Sequence, residues 1–225
     1  MESTLTLCEI GPVDGIITAA LAEDLASGDV TGRVTVGPHT HWSARLVAKE
    51  RLVFAGGAVA KAVFHRVDPA IAVEVLLRDA EVAAPGTVLM TVSGNARALL
   101  AAERTTLNLL QRMCGVATLT RANVDAAAGR CRVVDTRKTM PGLRALDRYA
   151  VRCGGGFNHR FGRRRAIFFE QVFFERTAID ADADRNAVIA CGIDHCAHAI
   201  LAADIARIDA QAIDPVLRHR ECDPV

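Results

Sequence analysis

Two short cationic clusters carry the chemistry this sequence offers. Arg137-Lys138 and His159-Arg160 lie in one stretch, RVVDTRKTMPGLRALDRYAVRCGGGFNHRFG, which spans residues 132–162. Arginine presents a planar fork to a carboxylate or phosphate, and lysine presents a compact charge. Two such clusters suit a ligand that carries several negative charges. Thr136 adds a hydroxyl and a backbone N–H beside the first cluster. Either cluster alone reads as a solvated basic turn. Taken together, with glycines at 154–156 that permit a close backbone approach, they read as an anion site.

The elements that must hold these groups are short. Val133-Val134 reads as a buried strand, and Pro141-Gly142 as a turn. Leu143 to Val151 has Leu143, Leu146, Tyr149 and Ala150 at helical spacing. Upstream, Asn95 is placed to cap a helix whose apolar stripe is Ala98, Leu99, Ala102, Thr106, Leu109, Leu110 and Met113. Leu119 to Ala128 continues as helix and Gly129 closes it. Arg97, Arg104 and Gln111 form a separate row, which for Arg97 reads as a solvated face. Helix, strand, helix, strand in this order predicts the start of a parallel α/β arrangement.

The first ninety or so residues read as a small α+β layer. A helix is expected over 13–25, ended by Ser27-Gly28-Asp29, and a strand over His41–Ala48 with Trp42, Ala44, Leu46 and Ala48 on one face. Trp42, the single tryptophan, reads as a packing residue. Gly56-Gly57 precedes a helix over Ala58–Val67 and reads as a turn, with an anion site as the alternative. Ile71–Leu77 and Thr87–Val92 read as strands joined through Pro85-Gly86.

Composition narrows the classes of function. The chain has 225 residues, 24% charged and 51% hydrophobic, with a formal net charge of +1. No bulk field therefore points to nucleic acid or to a membrane surface. Arg163 to Arg165 is the one short run that favours a nucleic-acid reading. No apolar run is long enough to span a bilayer. The opening MESTLTLCEIGPVDG lacks a basic start followed by an apolar block, so no secretory leader is expected. The 7 cysteines lack the spacing of a small disulfide scaffold, and a reduced, cytoplasmic location is expected.

DTRKT-PG-R followed by YAVRCGGG-NHR-G resembles the signature of the nicotinate-nucleotide pyrophosphorylase family, also called quinolinate phosphoribosyltransferase (decarboxylating). Glu103-Arg104-Thr105-Thr106-Leu107-Asn108, Gly115-Val116-Ala117-Thr118, and Glu23-Asp24 with Gly28-Asp29-Val30-Thr31 resemble the same family, so the likeness spans roughly residues 13–162. It implies an α/β protein: an N-terminal α+β domain over 1–113, then the first part of an α/β barrel over 114–162, with ligands at the C-terminal ends of the strands. The implied activity converts quinolinate and phosphoribosyl pyrophosphate to nicotinate mononucleotide, pyrophosphate and carbon dioxide. Mg²⁺ is implied with the phosphoribosyl pyrophosphate. The implied substrate-binding residues are Thr136, Arg137, Lys138, His159, Arg160 and Arg104, the last reaching into the site of a neighbour in a homodimer. No resident metal and no catalytic side chain is identified.

Residues 163–225 depart from that pattern. After Gly162 the chain reads RRRAIFFEQVFFERT, with Glu170 and Gln171 where the family has Lys and Asp, and no lysine follows Lys138. The family's later strand-end acids and Gly-rich phosphate loops have no match. A reading-frame change near Gly162 and a diverged, shortened paralogue both account for this tail, which is expected to be poorly ordered. Cys191, His195, Cys196, His198, His219 and Cys222 do not match a common zinc spacing. Ala197 to Ile208 has a helix-like apolar face, and the tail shows no clear strand alternation. A catalytically impaired, dimerising anion-binding protein is therefore the alternative function.

Overall fold

In the computed structural model, residues 13–25, 28–158, 188–190 and 206–212 are described. Helix α1 (Val13–Leu25) spans the residues expected and buries Val13, Ile17 and Leu21. The short α2 (Val30–Thr35) follows, with the Asp29 carboxylate accepting from the Gly32 N–H at 2.8 Å as an N-cap. Asp29 thus opens a second helix as well as following the first.

Strand β1 (His41–Ala48) buries Ala44, Leu46 and Ala48, with Trp42 partly buried on the same alternation. The short β2 (Leu52–Val53) leads into helix α3 (Gly57–Val67). Strand β3 (Ala72–Val75) and the two-residue β4 (Val82–Ala83) precede β5 (Val88–Asn95). Ile71–Leu77 is therefore shorter as a strand than its sequence suggests, and β4 intervenes before the Pro85-Gly86 turn. β5 pairs antiparallel with both β1 and β3, while β2 pairs with β4 in a separate ribbon.

The spine of the molecule is helix α4 (Ala96–Ala127), whose 32 residues extend about 48 Å at 1.5 Å per residue. Asn95 caps it, accepting from the Arg97 and Ala98 N–H groups at 3.0 and 3.3 Å. Leu99, Ala102, Thr106, Leu109, Leu110 and Met113 are buried along it. At its other end Ala128 and Gly129 take positive φ, and Arg130 donates to the carbonyls of Ala126 and Ala127. Arg97 is not solvated as its row suggested. Its guanidinium donates to the Val36 and Arg33 carbonyls at 2.7 and 3.0 Å, because the end of α2 supplies acceptors beside it.

Beyond α4 come β6 (Arg132–Val134), helix α5 (Arg144–Cys153) and a parallel bridge from Val134 to Phe157. Phe157 N–H donates to the Val133 carbonyl and Asp135 N–H to the Phe157 carbonyl, both at 2.9 Å. The chain is thus of the α/β class here, with parallel strand pairing across a helical crossover. β7 (Val188–Ala190) pairs parallel with β6, and β8 (Ala206–Ala212) pairs antiparallel with β1. β8 corrects the reading of Ala197–Ile208 as helical, since residues 206–208 are extended. ARIDAQA alternates apolar and polar residues, a strand period that the helical reading overlooked. His159, Arg160, Glu170 and the tail cysteines and histidines lie outside the described residues.

Candidate functional site

The polypeptide leaving β6 is shaped by local hydrogen bonds. The Lys138 N–H donates to the Thr136 hydroxyl at 3.1 Å, and the Thr139 N–H donates to the Arg137 carbonyl at 3.0 Å. Arg144 from the start of α5 reaches back, donating to the Arg137 carbonyl at 3.1 Å and to the Thr139 hydroxyl at 3.0 Å. Met140 to Leu143 closes a turn with Pro141 second and Gly142 third at φ +83°, the type II pattern that needs glycine there. These bonds occupy the backbone and leave the side chains free. Arg137 and Lys138 are exposed, and neither side chain has an ion-pair or hydrogen-bond partner among the described residues.

Beneath them the charges are paired. Asp135 is 3% exposed at its side chain and meets Arg148 of α5 at 3.0 Å. Asn158, with its amide oriented to satisfy both ends, donates to the same Asp135 carboxylate at 3.3 Å and to the Arg148 carbonyl at 2.9 Å. One residue earlier on α5, Asp147 is held by Nε and an Nη of an Arg112 fork from α4, at 2.7 and 2.8 Å. That pair, with Asp147 at 1% exposure and Arg112 at 13%, locks α5 onto the spine helix.

The glycine run serves packing. A Cβ on Gly154 would lie 2.5 Å from both the Ala117 carbonyl and the Thr120 Cβ, and one on Gly156 would lie 2.9 Å from the Thr120 methyl. The close backbone approach expected at residues 154–156 is therefore to helix α4. Gly56-Gly57 likewise has an internal partner. The Asp79 carboxylate accepts from both N–H groups, at 3.0 and 3.1 Å, at the start of α3. Tyr149 of α5 donates its hydroxyl to Asp79. Burial and the Asp79 charge raise the Tyr149 pKa above its ordinary value. Burial, chiefly, pushes the Cys114 and Cys153 thiols up to about 12.

Arg104 stands apart. It projects from the N-terminal half of α4, 76% exposed, and meets Asp24 of α1 at 3.1 Å. The pair lines a groove of about 540 Å³ with Asp29, Glu103, Asn108 and Gln111, and none of residues 136–138 borders it. Burial raises the Glu103 pKa, with Arg104 partly opposing the rise. The structure thus brings Thr136, Arg137 and Lys138 together and leaves Arg104 elsewhere on the same chain. Asp135, Arg148 and Asn158 escaped the sequence reading. The only signal for them is that Asp135 lies two residues, and Asn158 one residue, before a cationic cluster. Among the described residues no group of three His, Cys, Asp or Glu side chains is disposed to hold a metal ion, and no helix is long and apolar enough to cross a membrane.

Residues 29–114 match the family model of the quinolinate phosphoribosyl transferase N-terminal domain, and residues 116–174 match that of its C-terminal domain. The match continues to residue 174, past the Gly162 that ends the motif-level resemblance. The chain is 42% identical over 167 residues to a chloroplastic nicotinate-nucleotide pyrophosphorylase [carboxylating] of Arabidopsis thaliana, covering 74% of this chain and 46% of that one. It is 43% identical over 141 residues to a probable nicotinate-nucleotide pyrophosphorylase of Bacillus subtilis, covering 62% and 48%. The solved nicotinate-nucleotide pyrophosphorylase of Francisella tularensis superposes with a TM-score of 0.65 at 35% identity, covering 72% of this chain and 58% of that one. The chain spans about half the length of the curated relatives it matches.

Proposed function

Because this chain belongs to the quinolinate phosphoribosyltransferase family, we propose that it binds quinolinate and takes part in forming nicotinate mononucleotide, pyrophosphate and carbon dioxide from quinolinate and phosphoribosyl pyrophosphate, a step of NAD biosynthesis. The observation that carries this reading is the C-terminal edge of β6. There two exposed cations, Arg137 and Lys138, have no side-chain partner among the described residues, and the Lys138 N–H and the Arg137 carbonyl between them are already bonded. A dicarboxylate supplies the missing anions. Arg137 would grip one carboxylate, and Lys138 would balance a second carboxylate or a phosphate. Thr136 would add a donor, and His159 and Arg160 would complete the cationic set. The protein's contribution is electrostatic: charges fixed before the ligand arrives stabilise a departing pyrophosphate without reorganising.

Mg²⁺ is proposed to arrive bound to the phosphoribosyl pyrophosphate, as part of the substrate. The described residues offer no cluster to hold it beforehand, and no step is assigned to it. Arg104, exposed and remote from residues 136–138 within one chain, is proposed to serve the site of a second copy in a homodimer. The proposed division is an α+β domain over 1–113 and a barrel portion over 114–162, followed by residues 163–225, of which β7 and β8 pair with β6 and β1. The proposed location is cytoplasmic, with neither nucleic acid nor membrane as partner.

The second reading, an anion-binding dimer impaired in turnover, is favoured by Glu170 and by the absence of lysine after Lys138. The test is calorimetric titration with quinolinate, followed by an assay for nicotinate mononucleotide. Binding with turnover supports the first reading, and binding without turnover supports the second. An absence of binding refutes both.

A further inference from the structure

We propose that Asp135 is a positioning residue that, by one buried carboxylate, ties the start of the Thr136-Arg137-Lys138 segment to α5 and to Asn158. Three features converge on it. It is nearly inaccessible, so its charge must be met by protein groups. Two of those groups come from separate parts of the chain: Arg148 Nε of α5 at 3.0 Å, and the Asn158 amide, next to the Phe157 bridge, at 3.3 Å. Its own backbone N–H is bonded to the Phe157 carbonyl at 2.9 Å. Asp135 therefore grips, by main chain and side chain, the two residues that immediately precede His159.

In the other direction Asp135 is followed at once by Thr136, Arg137 and Lys138. Among the described residues nothing bonds the side chains of Arg137 and Lys138. Their placement depends on where the backbone leaves β6. β6 is only three residues long, and so short a strand sets its exit direction weakly. The buried carboxylate sets it instead. The Asn158 amide ties the arrangement closed, because it also donates to the Arg148 carbonyl at 2.9 Å. Removing the charge at Asp135 takes a charged partner from Arg148 in a buried place and frees the start of the 136–139 segment.

Trypsin gives a direct readout, because it cleaves after Arg137 and Lys138. The variants are Asp135→Asn, which keeps the shape and removes the charge, and Asn158→Ala, which removes only the tie. Val63→Ala, a cavity in the buried face of α3, serves as a control of general destabilisation. Cleavage sites and rates are mapped by mass spectrometry on the full chain. Cleavage after Arg137 and Lys138 should rise about tenfold or more in both variants and remain near wild type in the control. Quinolinate affinity should fall by a similar factor in both variants and not in Val63→Ala. Only this affinity readout rests on the proposed quinolinate site; the proteolysis readout stands without it. Unchanged cleavage in Asp135→Asn and Asn158→Ala overturns the assignment whatever quinolinate does. An equal rise in Val63→Ala also overturns it. Raised cleavage with no quinolinate binding by the wild type upholds the positioning role and refutes the quinolinate site alone.

Discussion

Arg112→Ala tests whether the spine helix holds α5 by charge. Asp147 is 1% exposed, and its two carboxylate oxygens lie 2.7 and 2.8 Å from the two Arg112 nitrogens. Among the described residues no other group bonds that carboxylate. Deleting the guanidinium leaves a buried anion without compensation, which costs about 3–5 kcal/mol. For a chain of this size each kcal/mol moves the melting temperature by roughly 2–4 °C, so a fall of about 6–20 °C is expected. Thermal unfolding followed by circular dichroism measures it. A second variant separates charge from packing. Arg112→Met with Asp147→Leu removes both partners and fills the space with apolar groups, and should recover most of the loss. A single variant that melts within about 2 °C of wild type would refute the reasoning. So would a double variant no more stable than the single one.

Other perturbations read different parts of the fold. Gly154→Ala drives a methyl into the Ala117 carbonyl and Thr120; overpacking of this kind costs roughly 1–3 kcal/mol, seen as a lower midpoint in a urea titration. The Cys114 and Cys153 thiols, pushed up to about 12 in the folded chain, keep their protons after the unfolded chain has lost them near 9. Their contribution is thus complete below about pH 9 and is lost as pH rises toward about 12. A melting temperature that holds steady across that window would contradict it. Asn95→Ala removes the cap of α4 at a cost of about 1 kcal/mol, and amide exchange should quicken at Arg97 and Ala98, the two N–H groups it releases.

The parts legible in the sequence are those with local causes. The stripe of α4, the alternation of β1 and the Asn95 cap follow from periodicity and from neighbours two or three residues away. The pairing of distant groups was not legible. Gly56-Gly57 reads as a turn, with an anion site as the alternative, and the anion that meets it is Asp79, which a linear reading cannot assign. Arg97 looked solvated because the carbonyls it caps lie about sixty residues earlier. The glycines at 154–156 signalled a close approach correctly, but not that its partner is a helix. At the candidate site the exposed cations were readable from residue type. The buried Asp135 network that steadies them was not, since Asp135, Arg148 and Asn158 are far apart in the sequence and only the fold brings them together.

The central claim is that the edge of β6 grips a pyridine dicarboxylate through Arg137. Calorimetric titration of the purified chain with quinolinate, beside Arg137→Ala, tests it most directly. Arg137 is exposed and its side chain supports no other described group, so the variant should fold as the wild type does. Loss of a charge-assisted contact worth about 1.5–3 kcal/mol predicts saturable binding by the wild type and an affinity roughly ten- to hundredfold weaker in the variant. Equal affinity in the two proteins, or no heat of binding in the wild type, would contradict the claim.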